Sequence, residues 1–288
     1  MSKPKAKDNN ELFETPFALS IGPQRAGTSW LDRYLRSRND ICVPDAVKEI
    51  FFFDRHYNRG ISFYTSHFKP QKQHKTAIEI TTTAFDHDGA AQRVLETCGR
   101  NIRLICPLRN PLTRSYSLYM HYKRYGIIFG DLEEACQQNP QIIESSRYAK
   151  HLQQWFDVFG AENIKILFQE DLEVNQDAYV RDVCQGLGVN YIPLSEELTD
   201  RFNATTSGAS GAFARMIQRL ADWLRQHKCY FVINLAKALG LKKFIFGDEK
   251  PQASGTSIPD DDRAYLEAHL KGEIEKLEAM IGPIPQWK

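Results

Sequence analysis

Short apolar runs alternate with longer amphipathic stretches along this chain, and the alternation predicts strands and helices in turn. The first run, FALSIG (17–22), reads as a strand; Trp30, Leu31, Tyr34 and Leu35 then recur at helical spacing through TSWLDRYLRSR (28–38). KTAIEIT (75–81) reads as a strand and DGAAQRVLETCG (88–99) as a helix closed by Gly99. NIRLICPLR (101–109) has the near-continuous apolar character of a buried strand. Asn110-Pro111 then supplies an N-cap and a first-turn proline for a helix over 111–126. A helix over 145–160, a strand over 163–169 and a helix over 175–188 complete the series. KEIFFFD (48–54) is too short to classify by period.

Strands that alternate with helices predict an α/β fold, with a parallel central sheet flanked by helices. After residue 204 the texture changes. ATTSGASGAF (204–213) is small, polar and glycine-bearing, with a candidate lid at 204–211. A helical stretch (212–240), the loop GDEKPQASGTSIPD (247–260) and a helix over 261–282 follow. That last helix places Tyr265, Leu266, Leu270, Ile274, Leu277 and Ile281 at helical spacing. The expected organisation is a polar, disordered lead-in over 1–14 and one domain over 15–288. About 204–288 of that domain forms a helical C-terminal cap.

With 288 residues, 42% hydrophobic and 25% charged, the chain can bury a substantial core. Its net charge of +1 gives no global basic field for nucleic acid or an anionic membrane, so any anion site is local. FVINLAKALGL (231–241) is short and interrupted by Lys237, and the N-terminus lacks the apolar core of a signal peptide. Cys42, Cys98, Cys106, Cys136, Cys184 and Cys229 are scattered, with no C-x-x-C pair. They read as reduced thiols rather than a disulfide frame or a zinc site, and the expected setting is cytoplasmic, with no nucleic-acid or membrane partner.

Candidate chemistry begins directly after the first strand, at Gly22-Pro23-Gln24-Arg25-Ala26-Gly27-Thr28-Ser29-Trp30-Leu31. Two glycines four residues apart match a phosphate-binding loop, but Thr28 stands where a nucleoside-triphosphate loop has lysine. The cation lies inside the loop, at Arg25. Glycines alone would suffice for a tight strand-to-helix turn. Free N–H groups at a helix start, close backbone approach and a guanidinium together make an anion cradle. A triphosphatase would also need an acidic metal partner at a neighbouring strand end, and LICPLR ends in Arg109-Asn110-Pro111 instead. That favours a ligand with two separate anionic groups and no metal. Within LRNPLTRSYSLY (108–119), Ser117 stands eight residues after Arg109, about two helical turns up.

Loop and second element together resemble the paired signatures of sulfotransferases that use 3′-phosphoadenosine-5′-phosphosulfate (PAPS). In that family G-x-x-[KR]-[AGS]-G-[ST]-[ST]-x-L grips the 5′-phosphosulfate, and [LI]-R-[ND]-P-x-x-R-x-x-S-x-Y binds the 3′-phosphate through its Arg and Ser. Both patterns occur here in order, about 80 residues apart. KEIFFFDRHY (48–57) is similar to the K-E-x-x-F-F-D segment of the carbohydrate-sulfating branch, and FQEDL (168–172) to a Y-E-D-L segment. Glu79 with the threonines at 81–83 resembles that branch's E-K-S-P segment, with Lys, Ser and Pro replaced. The resemblance covers roughly 17–205.

It implies PAPS as donor and binding residues Gly22, Pro23, Gln24, Arg25, Ala26, Gly27, Thr28, Ser29, Trp30, Arg109 and Ser117. Glu49 is implied as catalytic base, with Arg25 stabilising the leaving adenosine bisphosphate and Lys48 either on the phosphosulfate or facing solvent. His121 is the rival base, since the arylsulfotransferase branch uses a histidine. Thr28 and Ser29 double as helix-capping hydroxyls, Trp30 reads most simply as core, and Arg114 sits in the motif but reads equally as an ion-pair residue. The expected acceptor is a small cytoplasmic molecule. The acidic Asp45, Glu49 and Asp54 would suit a cation such as a guanidinium alkaloid, and a sugar or glycolipid is the other class. A homodimer is left open. Two rival functions remain at this point: a metal-dependent nucleotide kinase or NTPase with a degenerate loop, and a non-catalytic nucleotide-binding module.

Overall fold

The structure is a computed structural model and describes residues 15–195 and 257–287. The expected lead-in, the candidate lid at 204–211, the helical stretch 212–240 and residues 247–256 of the following loop lie outside these. The described residues divide into two compact units. One takes the chain up to Arg109, Tyr148–Leu194 and 283–287; the other takes Asn110–Arg147, Ser195 and 257–282.

The first unit is built on a parallel sheet in the order β2-β3-β1-β4-β5. Its strands are β1 (Phe17–Ser20), β2 (Ile41–Cys42), β3 (Thr76–Ile80), β4 (Arg103–Leu108) and β5 (Ile164–Phe168). Every residue of β1 and β3 is buried, as a sheet covered on both faces requires. Helices α1 (Thr28–Ser37), α3 (Ala90–Cys98), α7 (Tyr148–Phe159), α8 (Gln169–Val174) and α9 (Gln176–Leu187) belong to the same unit, with the short α2 (Ile61–Thr65). α9 packs on β4 and β5, and α3 on α7. The four predicted strands and the helices after them fall within a few residues of their expected bounds. The two-residue β2 at the sheet edge is too short to carry a period.

Pro107 sits inside the central strand β4, where a missing N–H would ordinarily break a ladder. The pairing of β1 with β4 runs only to Ser20 and Ile105, with Ile21 N–H on the Ile105 carbonyl. By Pro107 the first strand has already turned away, so no ladder bond is lost on that side. The turn is tight enough that a Cβ on Gly22 would stand 2.1 Å from the Pro107 carbonyl oxygen. Only glycine fits there. β1 is also where the strand order reverses, with β3 and β2 on one side and β4 and β5 on the other. Ligands of open parallel sheets gather at the carboxyl ends of such strands.

The second unit contains α4 (Pro111–Arg124), α5 (Leu132–Gln138), α6 (Gln141–Glu144), α10 (Asp260–Leu270) and α11 (Glu273–Ile281). Asn110 caps α4 as expected, its side chain accepting from the amides of Leu112 (3.0 Å) and Thr113 (3.4 Å). Leu118, Ile128, Leu132, Ile142, Leu266 and Leu270 form its apolar core. Arg114 is a wholly buried hub. Its Nε donates to Ser146 Oγ (2.6 Å) and its guanidinium to the Ile142 carbonyl (2.6 Å), both uncharged acceptors.

The helix expected over 261–282 is two helices. Lys271 leaves helical geometry, and Gly272 takes φ 73°, a left-handed conformation that glycine adopts without a Cβ penalty, so α10 ends and α11 restarts in a new direction. The helix expected to begin at 145 begins at Tyr148, after the turn that follows α6. Among the described residues no helix is long and apolar enough to cross a membrane.

Candidate active site

The anion-cradle loop joins β1 to α1 at the sheet's carboxyl edge. Its conformation is unusual for its residue types: Arg25 has φ 72° and Gly27 φ 77°. A non-glycine residue in the left-handed region costs on the order of 1 kcal/mol and is held only where the surroundings fix it. Here Ala26 beside it is fully buried, pinning the loop, while the Arg25 side chain is exposed. Gly27, not a hydroxyl residue, is the N-cap of α1, and no side chain caps the helix. The expectation that Thr28 and Ser29 cap is therefore corrected. Both are helical already, at the first two positions, where backbone N–H groups have no partner within the helix. Those amides and the helix dipole favour an anion.

Trp30 is core, 5% exposed, stacked on Tyr34 (5.8 Å between centroids) and edge-on to Tyr179. Its amide donates to the Gly27 carbonyl (3.0 Å), so within the loop signature it contributes packing. Pro23 is buried and Gln24 half-buried. Arg109 is half-exposed immediately after β4, the strand hydrogen-bonded to β1, and its carbonyl accepts from Tyr148 Oη (2.8 Å). The two arginines singled out from sequence thus leave the carboxyl ends of adjacent strands. Ser117 is half-buried on α4 in the second unit. His121, the rival base, is on the same helix, with its ring against Tyr122 and Tyr125.

The segment unreadable from its period, KEIFFFD, is shaped by two unusual backbone features. Phe51 adopts φ 56°, and a π-helical turn, Phe52–His56, follows it. Phe52 and Phe53 are driven into the core against Tyr64 (centroids 4.7 and 5.2 Å away). Burying those two rings anchors the segment and leaves Lys48 and Glu49 half-buried just ahead of it. Lys48 does not merely face solvent. Its Nζ donates to Thr28 Oγ1 of the loop (3.0 Å) and lies 3.3 Å from Glu49 Oε1. The other carboxylate oxygen of Glu49 accepts from Thr82 Oγ1 (2.6 Å). A continuous polar line therefore runs from Thr82 through Glu49 and Lys48 to the phosphate-type loop.

Behind it stands Glu79, on β3 opposite Leu19 of β1 and fully buried. It accepts from the Ile50 amide (2.9 Å) and from Tyr64 Oη (2.7 Å). Burial pushes its carboxyl up to about 8; the two donated hydrogen bonds oppose that, and the charges of Glu49 and Asp54 add to it. The same burial, with Glu79 next to it, raises the Tyr64 phenol. A carboxyl that stays protonated in the fold yet ionises near 4.5 when unfolded stabilises fully below 4.5. That contribution disappears as pH climbs through 8. The unfolding free energy of the wild type, measured against Glu79→Gln, should therefore fall by on the order of 4 kcal/mol between those limits. Urea titrations at several pH values check this, and a pH-independent difference would contradict it.

Two of the acidic residues expected to greet a cationic acceptor are otherwise engaged. Asp45 pairs with Lys69 at the surface. Asp54 is only 3% exposed at its side chain, accepting from Thr83 Oγ1 (2.6 Å) with Arg55 Nε 3.2 Å away. Thr82, Thr83 and Tyr64 were not legible as site residues. The available signal was that Thr81 and Thr82 replace the serine and proline of the resembled segment, while Ile80 replaces its lysine, and hydroxyls are natural donors to carboxylates.

Comparison with known proteins identifies the family and the fold. The sulfotransferase-domain family matches residues 17–208. The human bifunctional heparan sulfate N-deacetylase/N-sulfotransferase 2 is 26% identical over 195 residues, 60% of this chain and 22% of that protein. The corresponding Drosophila melanogaster enzyme is 25% identical across 94% of this chain and 27% of its own length. The membrane-associated sulfotransferase kil1 of Dictyostelium discoideum is 34% identical over 112 residues, 38% of this chain and 23% of that one. This chain thus spans about a quarter of the length of these curated relatives. In fold it is similar to a sulfotransferase from Alicyclobacillus acidocaldarius, with a TM-score of 0.63 at 23% identity, covering 95% of this chain and 98% of that one. A parallel sheet with an anion loop at its carboxyl edge defines the class, a P-loop-like α/β fold. Within that class, the chain belongs to the sulfotransferase family, whose sulfuryl donor is PAPS.

Proposed function

We propose that this chain transfers the sulfuryl group of PAPS to a hydroxyl or amine nitrogen of an acceptor, with Glu49 as general base. The observation that supports this best is the Lys48 bridge, which links the Glu49 carboxylate to Thr28 of the loop through contacts of 3.3 and 3.0 Å. In the proposed step the acceptor oxygen or nitrogen attacks sulfur in line and a new S–O or S–N bond forms. The bond from sulfur to the 5′-phosphate oxygen breaks, and its electron pair stays with adenosine 3′,5′-bisphosphate. The acceptor's proton passes to Glu49. Arg25, Lys48 and the first amides of α1 meet the charge that develops on the departing phosphate, as preorganised donors do in phosphoryl transfer. Because a sulfuryl group carries less charge than a phosphoryl group, cationic side chains suffice where a kinase uses a metal. Arg109 takes the 3′-phosphate.

Of the two acceptor classes, a sugar is better supported than a cation. The pairing of Asp45 and the burial of Asp54 leave little negative surface to recruit a guanidinium, and several relatives are named for heparan sulfate. The test is a screen of sugars, amino sugars, glycolipids and guanidinium compounds with radiolabelled PAPS, read by mass spectrometry. One added SO₃ on an amino sugar or sugar is the expected result. Label transfer to guanidinium compounds alone would overturn the acceptor assignment, and transfer to none with PAPS left intact would overturn the activity.

A further inference from the structure

The base assigned above is held by residues that no part of the reaction scheme requires. Glu49 has one oxygen toward Lys48 and the other on Thr82. The peptide immediately after it donates, through Ile50 N–H, to the buried Glu79. Thr82 and Glu79 flank the end of β3, three residues apart, so one rigid strand end reaches both the side chain of Glu49 and the backbone next to it. Glu79 is itself fixed by Tyr64, whose ring stacks on Phe52 of the turn that follows. The Glu49 segment is thereby gripped from the sheet at two points and from the aromatic core at a third.

We propose that Thr82 and Glu79 are positioning residues for sulfuryl transfer, Thr82 orienting the Glu49 carboxylate and Glu79 locking the peptide that follows it. This rests on Glu49 being the base. It replaces a cationic arrangement with a neutral one, since Ile80 occupies the position at which the resembled segment has lysine. The 2.6 Å bond from Thr82 also sets which lone pairs of Glu49 remain for an acceptor proton. A hydroxyl on one lobe and an ammonium beside the other leave the outward lone pairs in a defined direction, which general-base catalysis needs within a few tenths of an ångström.

The test compares Thr82→Val, Thr82→Ser, Glu79→Ala and Glu79→Gln with Glu49→Gln. The probe is radiolabelled PAPS, with transfer to the acceptor found in the screen and slow sulfate release to water followed in parallel. Binding of adenosine 3′,5′-bisphosphate is measured by calorimetry. Thr82→Val is nearly isosteric and should lower kcat about ten- to hundredfold, the range for a lost hydrogen bond to a charged group, with the KM for PAPS unchanged. Thr82→Ser should recover most of that loss. Glu79→Gln, whose carbonyl can still accept from Ile50, should retain far more turnover than Glu79→Ala. A threonine that merely supported folding would lower soluble yield or melting temperature without this split between kcat and KM. Thr82→Val with wild-type kcat, while Glu49→Gln is inactive, overturns the positioning role alone. An active Glu49→Gln overturns the base assignment and this inference with it.

Discussion

Replacing Glu49 by Gln is expected to lower turnover about 10²- to 10⁴-fold, the range for losing a general base, while leaving affinity for adenosine 3′,5′-bisphosphate within a factor of two or so. The separation follows from the geometry. Glutamine keeps an oxygen for Thr82 and a group of the same shape beside Lys48, so the Lys48–Thr28 contact and the loop survive. What is lost is proton acceptance, together with the charge that pairs with Lys48. If turnover and nucleotide affinity fell together, Glu49 would be a structural member of the loop rather than a base. Steady-state kinetics with PAPS, alongside calorimetry, distinguishes the two.

The second large effect concerns Arg25. Arg25→Ala should reduce kcat about 10²- to 10³-fold, as removal of one preorganised donor to a developing oxyanion does. Stability should barely change, because the side chain is exposed and alanine meets the same cost as arginine at φ 72°. Arg25→Lys retains the charge but loses the planar fork, so it should fall between the two. A variant Arg25→Ala with wild-type kcat would move leaving-group stabilisation elsewhere, to Lys48 and the helix amides. Its melting temperature guards against misreading a folding defect.

Much of this architecture was readable in advance because it rests on local and periodic signals. β4 announced itself by its near-continuous apolar run, of which five residues in six prove buried, and α4 by the Asn110 cap and the proline after it. The loop was legible because glycine spacing and the Arg25 cation are properties of a continuous stretch. The missing parts were of a different kind. The break at Gly272 lies inside an apolar pattern that continues across it, so periodicity alone reports one helix. KEIFFFD reads as a strand or a helix with equal ease, and its π-helical turn exists because Phe52 and Phe53 find Tyr64, supplied from another element. Thr82 and Glu79 gained their roles from contacts spanning about thirty residues of chain, which no local pattern encodes. The buried contacts of Arg114 with Ser146 and the Ile142 carbonyl likewise lie about thirty residues away along the chain.

The reading of this chain as a PAPS-dependent enzyme depends on the β1–α1 loop and Arg109 holding a nucleotide phosphorylated at both ends. Calorimetric titration of the whole chain with adenosine 3′,5′-bisphosphate, and separately with ATP and Mg²⁺, tests that most directly. The bisphosphate should bind at micromolar concentration without added metal, and Arg109→Ala should weaken it about ten- to hundredfold, as loss of a charge-assisted contact does. Tighter binding of ATP–Mg²⁺ than of the bisphosphate, or a bisphosphate affinity indifferent to Arg109, would contradict the account.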